Sequence, residues 1–315
     1  MSITPAFDVV PVKRVLSPEQ ATAMTGESVP ASEPNVTRAM VAADADTGSP
    51  VFAYLPLGDV APLRRAVLAL NYSGRSTVRA NGTRNASRVF GWAPRRPVYR
   101  REGCGPSGIA GEQPVQHQLI CDYSDTLAAL LERIDPRLRE QSERAVSAVE
   151  PEWRLGESKL WTSGVINQTS VLPFHRDAYN FPAWSAMPVL RRGVDGGFLR
   201  IPEYGATIAC RDGWGVFFAG YDLLHGVTPM RLRRPDGYRY SVVYYALKGM
   251  KDCFTAAVEA GYARKRRTER EQEIAKRLAA GDRLIHNLPP SSTRKTRGGR
   301  IMGGRGQHDF DQVQT

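Results

Sequence analysis

Apolar positions recur at helical spacing in three stretches of the chain. Val60 to Leu70 (VAPLRRAVLAL) predicts a short helix, and Ser124 to Val149 a longer one that opens on a Ser/Asp cap and carries Leu127, Leu130 and Leu131 on one face. Pro136 should break or kink the second. Cys253 to Ala280 predicts a third helix, softened at Gly261. From Lys159 onward the pattern changes to short apolar runs separated by turn residues. Strands are predicted at Leu160–Ile166, Ser170–His175, Gly197–Ile201, Ala206–Cys210, Gly215–Ala219, Leu223–Thr228 and Tyr238–Leu247, with turns at Asp195-Gly196-Gly197, Asp212-Gly213 and Asp236-Gly237. Short strands at this spacing argue for a sandwich or barrel, the class that includes cupin-type jelly rolls, and against βαβ units.

Between these regions the texture is less regular. Residues 1–50 are rich in Pro, Ser, Thr and Ala and read as an extended or partly ordered N-terminal arm. Tyr72 to Gly108 is rich in Gly, Arg and Ser, with a strand-like island at Arg88–Trp92, and reads as a folded region with functional loops. The expected organisation is an arm over 1–50, a catalytic domain over 51–250 with its jelly-roll core at about 158–248, a basic helix over 251–283 and a flexible basic tail over 284–315. The class is α+β, mainly β.

At 315 residues, 42% hydrophobic and 24% charged, the chain is long enough for a full core and has the balance of a soluble globular protein. No run approaches the roughly 20 apolar residues that span a bilayer, and the opening MSITPAFDVVPVKR has no apolar signal core, so a cytoplasmic protein with no membrane partner is expected. Cys104, Cys121, Cys210 and Cys253 form no CxxC and are expected to be reduced thiols. The net charge of +11 is uneven: −3 over residues 1–50, +8 over 51–250 and +6 over 251–315. That basic excess fits a nucleic-acid partner.

Candidate chemistry centres on His175-Arg176-Asp177. Residues i and i+2 of an extended segment share a face, so this imidazole and carboxylate can address one metal ion. With His225 downstream they compose a two-His, one-carboxylate facial set, the ligand pattern of non-haem Fe(II) oxygenases, which leaves positions open for cosubstrate and O2. Arg239 and Ser241 share a face of the strand GYRYSVVYYAL. A buried guanidinium beside a hydroxyl suits the distal carboxylate of a dicarboxylic acid, and 2-oxoglutarate would supply the counter-charge. His117 reads as structural or pocket-edge, and His286 and His308 lie in the basic tail.

His175-Arg176-Asp177-Ala178-Tyr179-Asn180 resembles the HRDxxN signature of the TET/JBP family of Fe(II)- and 2-oxoglutarate-dependent hydroxylases of 5-methylcytosine and thymine. The stretches Gly196–Gly205, Val216–Phe218, Leu224–Pro229 and Arg239–Tyr245 follow in the family's order. The resemblance covers about 160–250 and, more loosely, 72–121 through SRVFGW-x-PRR. It implies a double-stranded β-helix, His175, Asp177 and His225 as iron ligands, and Arg239 with Ser241 as the 2-oxoglutarate anchor. It also implies Asn180 as a hydrogen-bonding partner of an extruded base and Tyr245 as the aromatic packed against it. Leu247 stands where the animal enzymes carry a base-contacting histidine, which leaves 5-methylcytosine against thymine open. The expected partner is DNA presenting a flipped or single-stranded base, with phosphate contacts from the Arg-rich 72–101 segment and the C-terminal helix. Two further readings stay open: a hydroxylase of a protein side chain or small molecule, and a DNA-binding module that no longer turns over.

Overall fold

In a computed structural model of the chain, residues 7–72, 76–78, 84–95 and 103–281 are described. The N-terminal part supplies β1 (Val9–Val12), α1 (Pro18–Ala23), β2 (Met40–Asp44) and β3 (Pro50–Pro56). There follow α2 (Ala61–Leu68), β4 (Ser76–Val78), β5 (Arg84–Ala93), β6 (Gly105–Pro106), α3 (Gly108–Glu112), α4 (Pro114–Ile134) and α5 (Pro136–Val146). The strand-rich part holds β7 (Ser163–Gln168), β8 (Ser185–Arg192), β9 (Val194–Gly196), β10 (Leu199–Ile201) and β11 (Ala206–Ile208). It continues with β12 (Trp214–Phe218), β13 (Gly226–Val227), β14 (Met230–Leu232) and β15 (Tyr238–Tyr245), and α6 (Ala256–Ala279) closes the described chain.

One large sheet runs β1-β2-β3-β12-β8-β15-β7-β5-β4, with β6 on the edge of β5. Apart from the parallel pair β1–β2, its ladders are antiparallel. A small sheet, β11-β10-β13, and the pair β14–β9 lie apart from it. Side-chain alternation sorts the large sheet's two faces. Tyr240, Val242 and Tyr244 of β15, with Ile166 of β7 and Phe217 of β12, pack against α2, α4 and α5 in one core. Tyr244 donates from its hydroxyl to the Ile120 carbonyl at 2.7 Å. On the opposite face Met187, Val189, Val216 and Phe218 pack against Leu199, Ile201, Ala206 and Ile208 of the small sheet. The layers are therefore helices, large sheet and small sheet, and the cavity opens between the two sheets. This is the mainly β, jelly-roll arrangement expected.

The expected N-terminal arm is corrected by the sheet: within residues 1–50 lie two of its strands, β1 and β2, and β2 pairs with β3 of the next region, where Phe52 and Tyr54 are fully buried. Met40–Asp44 is buried on both faces, so it lacks the alternation that marks a half-exposed strand. The helix expected over 124–149 starts ten residues earlier, at Pro114, and breaks at Pro136, which opens α5 with Asp135 as its cap. Ser170–His175 forms no strand; only His175 bridges to His225. An unexpected central strand, β8, holds Pro188, and its ladder with β15 skips that residue, which has no N–H to give. Much of the Arg-rich segment (73–75, 79–83 and 96–102) and the tail from 282, with His286 and His308, lie outside the described residues. No described helix is long and apolar enough to cross a membrane.

The cysteine expectation is also corrected. Cys104 and Cys253 form a disulfide with Cα atoms 5.9 Å apart, while Cys121 and Cys210 are buried and free. Folding brings the segment before α3 onto the turn before α6, a proximity that a separation of 149 residues hides. Glu259 of α6 fastens the same junction, accepting from the Cys104 and Phe254 amides and pairing with Arg95. A bridge across so long a separation restricts the unfolded chain, so its loss should remove about 2–4 kcal/mol of stability. Cys253→Ser should melt several degrees lower than the wild type and be insensitive to reductant, whereas reductant should bring the wild type down to it. Equal melting of the two proteins under oxidising conditions would contradict this.

Candidate metal and cosubstrate site

His175 and His225 are fixed face to face by their own backbones. The His175 amide donates to the His225 carbonyl at 2.8 Å, and the His225 amide returns the bond at 3.0 Å. Such a reciprocal pair puts both side chains on one face, and the rings lie 4.3 Å apart between centroids. Each ring is oriented by its Nδ1 against a main-chain carbonyl two residues upstream, Pro173 at 2.8 Å and Leu223 at 2.9 Å. With Nδ1–H donating there, Nε2 carries the lone pair and points into the cavity, the tautomer a metal ligand needs.

Asp177 completes the set, with Oδ1 4.0 Å from His175 Nε2. The potential ligand atoms of His175, Asp177 and His225 all lie within 4.8 Å of one another. The Asp177 amide donates to the Gly220 carbonyl at 2.9 Å, and a Cβ on Gly220 would come within 2.7 Å of Asp177 Oδ2, so only glycine leaves the carboxylate its place. Arg176, between the two ligands, points the other way. It pairs with buried Glu203 at 2.8 Å and donates to the Asp222 carbonyl at 2.6 Å, while Glu203 accepts from the Leu224 amide at 2.8 Å. One ion pair thus pins both ligand-bearing segments. It joins positions remote in sequence, which is why the motif alone did not reveal it.

Electrostatics follow from burial. Exclusion of water pushes the Asp177 carboxyl up to about 7. Burial, and then the neighbouring His175 ring, hold His225 well below the usual imidazole range and so neutral. A carboxyl group and two imidazoles in a desolvated pocket form a donor set suited to a divalent ion of the first transition row.

Further along the same wall, Arg239 is fully buried, and its Nε, Nη1 and Nη2 have no hydrogen-bond partner among the described residues. Its cross-strand neighbour is a second arginine, Arg191. That one is saturated by main-chain carbonyls, those of Val194, Gly196, Ala209 and Cys210 at 2.6–3.3 Å. Gly197, at φ +68°, lets the backbone approach Arg239: a Cβ there would lie 2.8 Å from its Cδ. Burying a cation unpaired beside another cation is unfavourable unless an anion joins them. The Arg239 site fits a ligand carboxylate.

Ser241, Val243 and Tyr245 project from the same face of β15 as Arg239 and line a cavity with His175, Asp177 and His225. Asn180 lines it too, at a point where its backbone bridges to Leu247. Every site residue singled out from the sequence therefore lies in this cavity or on the strand face that forms its wall. Lining residues not singled out include the polar Asn167 and the half-exposed Tyr179, beside apolar ones such as Leu172 and Met187. His117 lies elsewhere, under β5, where it accepts from the Gly91 amide at 3.0 Å as a structural residue.

No family model and no curated protein matches the chain. Solved structures do. NgTET1 in complex with 5mC DNA is similar over 72% of this chain and 84% of its own, at 17% identity and a TM-score of 0.50. A 2OG-Fe(II) oxygenase family oxidoreductase from Burkholderia pseudomallei covers 62% and 88%, at 15% identity and a TM-score of 0.41. A viral collagen prolyl hydroxylase from Paramecium Bursaria Chlorella virus-1, in complex with 2OG, covers 62% and 96%, at 11% identity and a TM-score of 0.34. The fold is the one it shares with NgTET1.

The raised Asp177 pKa has a signed consequence in metal-free protein. The folded state keeps a proton that the unfolded chain releases near its usual value of 3.8, so stability should fall as pH rises from about 4 through about 7. Asp177→Asn removes that loss, and its melting advantage over the wild type should grow by about 2–4 kcal/mol between roughly pH 5 and pH 8. A pH-independent advantage would contradict the assignment. Mn(II) added at the higher pH should raise the melting temperature of the wild type and leave that of the variant where it was.

Proposed function

We propose that this protein is an Fe(II)- and 2-oxoglutarate-dependent dioxygenase that hydroxylates the methyl group of a modified base in DNA, 5-methylcytosine first and thymine next. The observation that carries the reading is the pairing, on one cavity wall, of a His-Asp-His set with a buried guanidinium that has no hydrogen-bond partner among the described residues. One wants a cation and the other an anion, and a metal chelated by a dicarboxylic 2-oxo acid satisfies both.

In this reading His175, Asp177 and His225 hold Fe(II), and Arg239 with Ser241 grips the far carboxylate of 2-oxoglutarate. When bound, iron and cosubstrate supply the activation of O2 and the oxidation of an unreactive C–H bond. The chain supplies the rest. The Nδ1 bonds of His175 and His225 hold the imidazoles in the ligating tautomer. Val165, Leu172, Met187, Phe218 and Val243 wall the cavity with apolar surface that excludes water. Asn180 would offer its amide to the edge of an inserted base, and Tyr245 an aromatic face. Leu247, buried against the Asn180 bridge, leaves an apolar edge where the animal enzymes of the resembled family have a histidine.

The DNA half of the reading is supported by the net charge of +11 and by the shared fold of a protein solved with 5mC DNA. A stacked base cannot bring its methyl group to a recessed metal, so the nucleotide must be flipped out or single-stranded, at a few kcal/mol. Contacts from the basic cluster Arg264, Lys265, Arg266, Arg267 and Arg270 on α6 would offset that cost and make binding steeply salt-dependent.

Succinate release by Fe(II)-loaded protein should rise when 5-methylcytosine-containing single-stranded DNA is added, and mass spectrometry of nucleosides from co-expressed DNA should find a hydroxymethylated base. Release that ignores DNA would point instead to a protein side chain or small molecule as substrate. Absence of both metal binding and turnover would leave a silent DNA-binding module. Asn180→Ala should lower base oxidation about tenfold or more, while DNA-independent succinate release changes little. Equal losses in the two assays would count against a base contact.

A further inference from the structure

The two ligand histidines are built alike. Each follows a buried apolar residue, Phe174 or Leu224, and each turns its Nδ1 back to the carbonyl one residue before that. With the imidazoles on the cavity side, the intervening apolar side chains point the other way. There Phe174 and Leu224 form a small core of their own. Its other buried members, Ala21 and Val29, come from the N-terminal segment, with Met24 packed at the edge.

Polar contacts fasten the same segment to the back of the site. The Val15 amide donates to the Glu203 carbonyl at 2.7 Å. On α1, the Thr22 hydroxyl donates to the Pro18 carbonyl at 2.7 Å and accepts from Arg176 Nη1 at 3.0 Å. Past α1, the Gly26 amide donates to the Phe174 carbonyl at 2.8 Å, and the Phe174 amide donates to the Glu27 carbonyl at 2.9 Å. Val29 then lies against Gly226, the residue after His225, so closely that a Cβ there would collide with its Cγ2. Arg176, set between two ligands, therefore joins three segments: Thr22 on α1, Glu203 beside the small sheet, and the Asp222 carbonyl ahead of His225.

Within residues 15–29 only Ala21 and Val29 are buried, and both are spent on the two residues that precede the histidines. A segment kept for general stability would bury more. Ligating side chains must be held within about 0.5 Å of their places, and an imidazole keeps its aim only while the backbone beneath it is fixed. We propose that residues 15–29 are a strap that sets the aim of both imidazoles from outside the cavity, with Thr22 and Val29 as its positioning residues. The inference rests on the assignment of His175, Asp177 and His225 as metal ligands. It extends their support to a part of the chain that the family resemblance does not reach.

The test is calorimetric titration of Mn(II) into metal-free protein, with the visible spectrum of the Co(II)-loaded form as a second readout. Thr22→Val, at an exposed position, keeps the side chain's shape and removes the oxygen that Arg176 uses. Val29→Ala empties part of the small core. Each should weaken Mn(II) about tenfold and change the Co(II) bands, and Thr22→Ser should retain wild-type values of both. Cys253→Ser, which lowers stability at the α6 junction, should bind Mn(II) as the wild type does. Undiminished Mn(II) affinity in either folded strap variant overturns the inference. An equal loss in Cys253→Ser does so too, because the effect would then be one of general stability. A wild type that binds no Mn(II) would instead overturn the ligand assignment on which the strap's role stands.

Discussion

A guanidinium enclosed by protein, with no hydrogen-bond partner among the described residues, is the constraint on which the rest of this structure depends. Desolvating a cation costs several kcal/mol, and Arg239 recovers none of it from a neighbouring acid or carbonyl. Arg191 shows what the alternative looks like: it is directly across the ladder and satisfied by four carbonyls. The carboxyl of Asp177 poses the complementary problem, since it is desolvated and lies beside His175 and a His225 held neutral by burial. The cavity is therefore an electrostatic arrangement that the protein leaves unfinished. A divalent cation at one end and a carboxylate at the other complete it.

The sheet makes this possible by using each strand twice. Along β15, one set of alternate residues, Tyr240, Val242 and Tyr244, is spent on the helical core, and the other, Arg239, Ser241, Val243 and Tyr245, is spent on the cavity. The helices therefore support the site without touching it. The small sheet closes the other side, and the Arg176–Glu203 pair ties its edge to the segments bearing His175 and His225. Rigid strands on one wall and a pinned turn on the other hold ligands within a few ångströms of one another before any ion arrives.

Legibility in the sequence followed locality. His175-x-Asp177 and Arg239-x-Ser241 were readable because an i, i+2 spacing on extended backbone fixes a shared face whatever the tertiary context. The three helices were readable from their apolar spacing. Features set by remote contacts were not. β2 is buried on both faces and shows no alternation, and β8 carries a proline that argues against a central strand. The disulfide, the Arg176–Glu203 pair and the fit of Gly220 to Asp177 each join residues whose separation conceals them.

The central claim is that Arg239 is buried for a ligand and not for the fold. Arg239→Met keeps most of the side chain's bulk and removes its charge, so titration of 2-oxoglutarate into the Mn(II)-loaded variant, with its thermal melt, tests the claim directly. The account predicts that affinity for 2-oxoglutarate falls about a hundredfold or more while the ligand-free variant melts no lower than the wild type. Undiminished affinity, or a severe loss of stability in the ligand-free variant, would contradict it.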